Sequence, residues 1–536
     1  MKVMGKRAAY VLAAGMVLGG CQWMKPSAKS TTRSGGPPPV QYVPASDGLP
    51  TAKIWKSQIA FGDINGDGFP DIGAVSRLAD GPYIWVGDGK GHWTDASSGL
   101  PRESFCGGGM DFGDANNDGK MDVAIADHCR GVFVYLGDGA GHWKNASAGL
   151  PTIGAEDVTV GDFDHDGCLD LAIVAAAEEG VRAFKGDCKG VWREMSKGLT
   201  HTEWGQSLVT ADIDGDGNLD LAVAYSAGPR VWLGDGKGSW REASEGLPAP
   251  DIHGLYQGIA VGDVNGDGKL DLTTGSAKDG VEVFIQGDGG KFYNTAATQC
   301  AGGPNSGSFC LTDAQCAGGT CATTICKGVC TGSAAGKACL NDDECADATG
   351  THDPKATCSK GTNFGAACTH SGQNECPAGA CSLVSNSHGI SAMNVVFGVA
   401  MGDLNNDGHV DVVAAGKTAL DEIGGVYGVF VFLGDGAGNF TLDEHSGLPI
   451  TGKEKSWGIG LADVNKDGVL DIGAAFGDVL SPNWHSGPKA EKTKNDKKGD
   501  KKDEKKDEKK AADKSAGPTR GMFGSIDVWL GQLHGK

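Results

Sequence analysis

Seven short stretches of the chain set oxygen-bearing side chains at alternate positions and then close with one more aspartate. They read Asp-x-Asn/Asp-x-Asp-Gly-x-x-Asp. Their oxygen donors are Asp63, Asn65, Asp67 and Asp71; Asp114, Asn116, Asp118 and Asp122; Asp162, Asp164, Asp166 and Asp170; Asp212, Asp214, Asp216 and Asp220; Asp263, Asn265, Asp267 and Asp271; Asp403, Asn405, Asp407 and Asp411; and Asp463, Asn465, Asp467 and Asp471. Calcium takes about six to eight oxygens at about 2.3–2.6 Å, and alternate residues of a tight turn can point inward together once a glycine takes the bend. Position 7 would add a backbone carbonyl, which frees its side chain to vary: it is Phe69, Lys120, Cys168, Asn218, Lys269, His409 or Val469. One such turn could be a plain Asp-Gly hairpin bend. Seven copies with every oxygen position kept favour a structural Ca2+ in each, about seven ions in all.

The element that positions these donors is not an EF-hand, because position 12 is Ala74, Ile125, Ile173, Val223, Thr274, Ala414 or Ala474 where that loop needs a glutamate. Runs such as Asp71-Ile-Gly-Ala-Val and Asp220-Leu-Ala-Val-Ala read instead as short buried strands, so each loop is a turn between strands. The first aspartates fall 51, 48, 50 and 51 residues apart, then 140, then 60. A second hairpin follows each turn. Trp85-Val-Gly-Asp-Gly-Lys-Gly-His-Trp93 is echoed at Tyr135–Trp143, Phe184–Trp192, Trp232–Trp240, more loosely at Phe284–Tyr293, and at Phe432–Phe440. The unit of about 50 residues is therefore four strands, the size of one propeller blade.

These residues carry a resemblance. Phe61-Gly-Asp-Ile-Asn-Gly-Asp-Gly-Phe-Pro-Asp71 resembles the FG-GAP or VCBS repeats of bacterial propellers and integrin α-subunits, over residues 40–296, 391–478 and 521–536. The resemblance implies an all-β, seven-bladed β-propeller with calcium in its turns, and leaves the biological role open. The last copy ends at Val528-Trp529 and lacks a fourth strand and a Ser-Gly-Leu-Pro exit. Both are found at the start, where Tyr42-Val-Pro-Ala-Ser-Asp-Gly-Leu-Pro50 aligns with Trp93-Thr-Asp-Ala-Ser-Ser-Gly-Leu-Pro101. The N-terminal strand is thus expected to complete the last blade and remove an open edge.

Residues 1–20 hold Lys2, Lys6 and Arg7, an apolar run from Ala8 to Leu18, and then Gly19 and Gly20 before Cys21. This is the layout of an export signal too short to span a bilayer. Leu18-Gly-Gly-Cys21 resembles the bacterial lipoprotein cleavage motif, which implies acylation of Cys21; a plain signal with a chance cysteine is the alternative. Residues 21–39 have linker composition. The expected setting is the bacterial cell envelope, at the outer membrane, with a membrane partner through the lipid. The net charge of −21 speaks against a nucleic-acid partner, since much of it is ligand charge.

Export favours disulfides among the remaining cysteines. In the propeller frame Cys106 and Cys129 share one end of blade 2, while Cys168 and Cys188 share the other end of blade 3, so bridges Cys106–Cys129 and Cys168–Cys188 are expected, with free buried thiols as the alternative. Twelve more cysteines lie in an insertion at 297–390, where crosslinks would replace a sparse core; zinc at Cys326 and Cys330 is the rival. A second insertion at 479–520 contains Lys489 to Lys514, with 12 Lys against 8 acidic residues. It has no apolar face and reads as a disordered, solvated loop, or as one drawn to anionic surfaces.

No catalytic constellation is present: the 13 histidines are scattered and the carboxylates are committed to the turns. Trp55, Phe105, Trp204, Tyr256 and Trp457 precede the innermost strands and could line the mouth of the central channel, or else pack between blades. The functional expectation is a non-catalytic binding or adhesion scaffold with a protein or glycan ligand on the face opposite the calcium turns. A polysaccharide lyase or hydrolase at the channel mouth is the alternative.

Overall fold

The structure, a computed structural model, describes residues 40–77, 81–175, 180–199, 204–226, 228–247, 256–276, 280–295, 393–418, 427–443, 445–449, 455–479 and 522–533, with short pieces between 298 and 381. The expected signal, Cys21, the linker and the Lys489–Lys514 loop lie outside the described residues. No helix among those described is long and apolar enough to cross a membrane.

Each repeat folds as an antiparallel sheet because its apolar runs are short, rich in β-branched residues and bounded by turn signals. Blade 2 is representative, with strands Met110–Gly113, Asp122–Asp127, Gly131–Gly137 and Trp143–Asn145 hydrogen-bonded in chain order. The run after the closing aspartate is buried at every position, as it must be when both faces of the second strand are covered. In blade 1 the first strand is broken into Ile54–Trp55 and Ala60–Gly62, both paired with Asp71–Arg77. Blade 7 takes Ser456–Ala462, Asp471–Phe476 and Ile526–Leu533 from the C-terminal part and Val40–Pro44 from the N-terminal part. Val40 pairs with Leu533 and Pro44 with Trp529, so the strand from the start of the chain is the outer edge of the last blade.

Seven blades close into a ring. Their first strands contact one another in sequence, ending with Ala60–Gly62 against Ser456–Ala462. The core accordingly is not one mass but seven seams. Phe105, Met110, Phe112, Ile125 and Trp143 pack on Ile64, Val75 and Ile84 between blades 2 and 1. Ile59, Phe61, Trp85 and Trp93 pack on Val464, Ala475 and Val528 between blades 1 and 7.

An outer belt reinforces the seams. The Ser-Gly-Leu-Pro exit of one blade, or its counterpart, runs beside the start of the fourth strand of the next, where Trp143 N donates to Ser98 O (2.8 Å), Trp192 N to Ala148 O (2.8 Å) and Trp240 N to Lys197 O (2.9 Å). Trp93 N donates to Asp47 O and Tyr42 N to Ser446 O, so the N-terminal strand carries the belt across the closure. The indoles add a second tie, Trp143 Nε1 to Ala96 O at 2.8 Å and Trp192 Nε1 to Ala146 O at 2.9 Å.

The insertions leave the ring at its strand connections. Asp478–Val479 pairs with Met522–Phe523 as a short ladder at the base of the lysine-rich segment. Within the cysteine-rich segment Cys310 and Cys321 are bridged and Cys316 is also disulfide-bonded.

Candidate functional site

Every first strand runs into its Asp-Gly turn, so the seven turns gather at one end of the ring and the starts of the seven first strands at the other. Within each turn the outward oxygens are consumed by the backbone. In blade 1 Gly68 N donates to Asp63 Oδ2 (2.8 Å), Asp67 N to Asn65 Oδ1 (2.9 Å) and Phe69 N to Asp67 Oδ1 (2.8 Å). The closing aspartate is a rivet: Ile64 N donates to Asp71 Oδ2 and Gly87 N, at the end of the third strand, to Asp71 Oδ1. The same two bonds recur in all seven blades, for example Leu404 N and Gly434 N to Asp411.

These carboxylates are buried beside one another. Burial first, then the neighbouring aspartates, opposes their ionisation and lifts Asp71, Asp122, Asp170, Asp220 and Asp471 to about 7, and Asp271 and Asp411 to about 8. Asp63 Oδ1, Asp164 Oδ1 and Asp212 Oδ1 are buried with no hydrogen-bond partner. Oxygens of Asp162, Asp164 and Asp170 lie within 4.8 Å of one another, as do those of Asp212, Asp214 and Asp220. In the third and fourth turns an orphaned oxygen set among converging carboxylates fits a hard divalent cation. Positions 1, 3, 5 and 9 of each turn would hold it, and it would supply the positive charge that lets the neighbouring carboxylates ionise together.

The opposite end forms a small cup at the channel mouth. One residue from each blade contributes, Ser57, Gly108, Glu156, Gln206, Gln257, Phe397 and Trp457, with Lys56 and Gln58 beside them. Each of the seven stands six residues before the first aspartate of its turn. Glu156 is the hub. Its side chain is 1% exposed; Lys56 Nζ lies 2.6 Å from Oε2, Trp204 Nε1 donates to Oε1 at 3.0 Å, and His128 Nδ1 also meets Oε1. Burial raises the Glu156 carboxyl, but the hydrogen bond from His128 and the charge of Lys56 outweigh it and hold the carboxyl below its usual value. Trp457 packs on Phe397 with ring centroids 5.4 Å apart, and Lys455 Nζ sits 3.9 Å over its ring.

The five aromatics expected at the mouth separate. Trp55 is completely buried, edge-on to Tyr83 and Trp85, and Phe105 is 1% exposed against Phe133. Both belong to the seams, the packing between blades that was the other reading open to them. They stand eight and nine residues before the first aspartate of their turns, and that register directs them between blades. Trp457, at six, lines the mouth. Trp204 is 44% exposed, the largest exposed apolar side chain among the described residues. Tyr256 pairs with Ser276 through its backbone, and its side chain lies outside the described residues. Glu156, Lys56, His128, Gln206, Gln257 and Phe397 were not among the residues expected at the mouth; counting back from the turns identifies those on the strand starts, whereas His128 comes from a connection and has no such signal. The sulfurs of Cys106 and Cys129 and of Cys168 and Cys188 are bonded, as expected from blade geometry.

Comparison with known sequences settles the repeat type. The FG-GAP-like repeat matches residues 63–125, 114–173, 212–274 and 403–474, ranges that include all seven acidic turns. The chain carries FG-GAP-like repeats. No curated protein matches the sequence. Among solved structures, an Agrocybe aegerita lectin described as recognising non-reducing terminal N-acetylglucosamine is 15% identical, with a TM-score of 0.38, covering 75% of this chain and 84% of that one. The V. cholerae biofilm matrix protein Bap1 is 14% identical, with a TM-score of 0.39, covering 81% and 88%. Likeness at this level says nothing of a ligand.

Proposed function

We propose that this FG-GAP propeller is a calcium-stabilised, non-catalytic binding scaffold, exported and lipid-anchored through Cys21 in the cell envelope, with a protein or glycan ligand seated over the channel mouth. The carrying observation is the division of labour between the two ends of the ring. Acidic turns occupy one end in every blade, and at the other end the strand starts present three glutamine side chains and an exposed indole around a neutralised hub. Gln58, Gln206 and Gln257 offer amide donors and acceptors, and the Trp204 face offers a stacking surface, a combination suited to sugar rings or peptide side chains.

Both oxygens of Glu156 are occupied by Lys56, His128 and Trp204, which favours recognition over proton transfer at this carboxylate. The test is binding of the purified chain to glycan and envelope-protein arrays with millimolar calcium and with EDTA. Calcium-dependent binding lost in Trp204→Ala supports the reading. Cleavage of an arrayed glycan would replace it with the enzymatic one.

A further inference from the structure

The seven turns are not equivalent. The residue just before the one that donates to the closing aspartate is Val86, Leu136, Leu233, Ile285, Leu433 and Leu530 in six blades, and Lys185 in blade 3. The Lys185 ammonium meets Asp164 and lies 2.6 Å from Asp166 Oδ2, two of the four donors of its turn. Blade 4 is a natural control. It shares the four-carboxylate set, Asp212, Asp214, Asp216 and Asp220 against Asp162, Asp164, Asp166 and Asp170, but has Leu233 where blade 3 has the lysine.

The same turn carries the bridge between Cys168 and Cys188. Cys188 occupies the hairpin position held by Gly89, Gly139, Gly236, Gly289 and Gly436, and keeps their left-handed backbone at φ 56°. In blades 1, 4 and 6 the position 7 side chain, Phe69, Asn218 or His409, lies against that glycine. In blade 3 the same contact has become covalent, tying together the two turns that a cation would otherwise clamp.

We infer that the third turn is a weak calcium site, its carboxylates neutralised in part by Lys185, and that the Cys168–Cys188 bridge holds its hairpins in place of the metal. This rests on the calcium reading of the other turns. Asp164 Oδ1 still points inward without a partner, so a cation is not shut out, but it must share Asp164 and Asp166 with a fixed like charge.

The test is a calcium titration of the chelated full chain by isothermal calorimetry. Six of the seven turns should fill together, and one should need at least about tenfold more calcium. Lys185→Leu, the residue of blades 2, 4, 6 and 7, should bring that site into the strong class, and Leu233→Lys should remove one strong site. Replacing Cys168 and Cys188 by Ser should lower the melting temperature in calcium, and by less when Lys185→Leu is also present. Seven equal sites in the unmodified chain, or an unchanged titration in Lys185→Leu, would overturn the inference and leave the calcium reading intact. No binding by any variant would overturn both.

Discussion

At the scale of the residue, the aspartate that closes each turn has an observed role and a proposed one, and these pull its protonation in opposite directions. As a rivet it sits buried beside other carboxylates, which raises Asp71 to about 7 and Asp271 to about 8; as the proposed calcium ligand it would have to be ionised. A carboxyl whose folded value lies above its unfolded value of about 4 binds more protons in the folded state between the two, so folded stability falls as pH rises through that window. With a chelator present, the melting temperature should therefore decline from pH 5 to pH 8. Millimolar calcium should remove that decline, because cation and proton compete for the same oxygens. Differential scanning calorimetry at the two pH values checks this, and equal slopes with and without calcium would contradict it. At the channel mouth, Glu156→Gln keeps the shape but leaves Lys56 without its counter-charge, for an expected loss of about 1–3 kcal/mol in denaturant unfolding. Trp204→Ala removes the exposed ring together with its hydrogen bond to Glu156, for an expected loss of about 1–3 kcal/mol, and ligand capture should be lost with it.

At the scale of the element, the Ser-Gly-Leu-Pro exit is as much a part of the blade as any strand. Gly149 has φ 95°, and a Cβ there would collide with the Trp192 carbonyl oxygen that faces it across the belt. Gly149→Ala should accordingly lower stability by at least about 1–3 kcal/mol, through backbone strain and a displaced belt together. Phe112→Ala, which empties the seam between blades 1 and 2, should lower it by about 3–5 kcal/mol. Urea denaturation of the two variants measures both effects; an unchanged midpoint in Gly149→Ala would mean that the belt contributes nothing.

At the scale of the molecule, the ring holds because its ends meet. Val40–Pro44 pairs with Ile526–Leu533, and Tyr42, 2% exposed, joins the core of the seam between blades 6 and 7. Deleting residues 40–44 would expose a full strand edge, and strand edges recruit partners. Size-exclusion chromatography with light scattering should then show oligomers where the intact chain shows a single species. The proposed calcium would act on this same scale: ions that bind only the folded ring raise stability by RT ln(1 + [Ca2+]/Kd) at each site. A thermal scan should show a higher midpoint in millimolar calcium than in EDTA, and coincident curves would end the structural-calcium reading.

The number of blades, the acidic turns, the closing strand and two disulfide pairs were legible in the sequence because they are set by local spacing: each turn carries its own donors, and each repeat announces the next. The FG-GAP unit therefore fixes the wheel before any long-range contact is considered. The mouth was not legible in the same way. Trp55 and Trp457 look alike as aromatics ahead of a first strand, yet one is buried in a seam and the other lines the cup, because a shift of two residues against the turn changes which surface the side chain reaches. Glu156 draws its partners from blades 1, 2 and 4, and Lys185 meets Asp164 from 21 residues away across a hairpin. Closure of the ring brings the Glu156 partners together and the folding of a single blade brings Lys185 to Asp164, since charge pairing depends on distance in space and leaves no period in the chain.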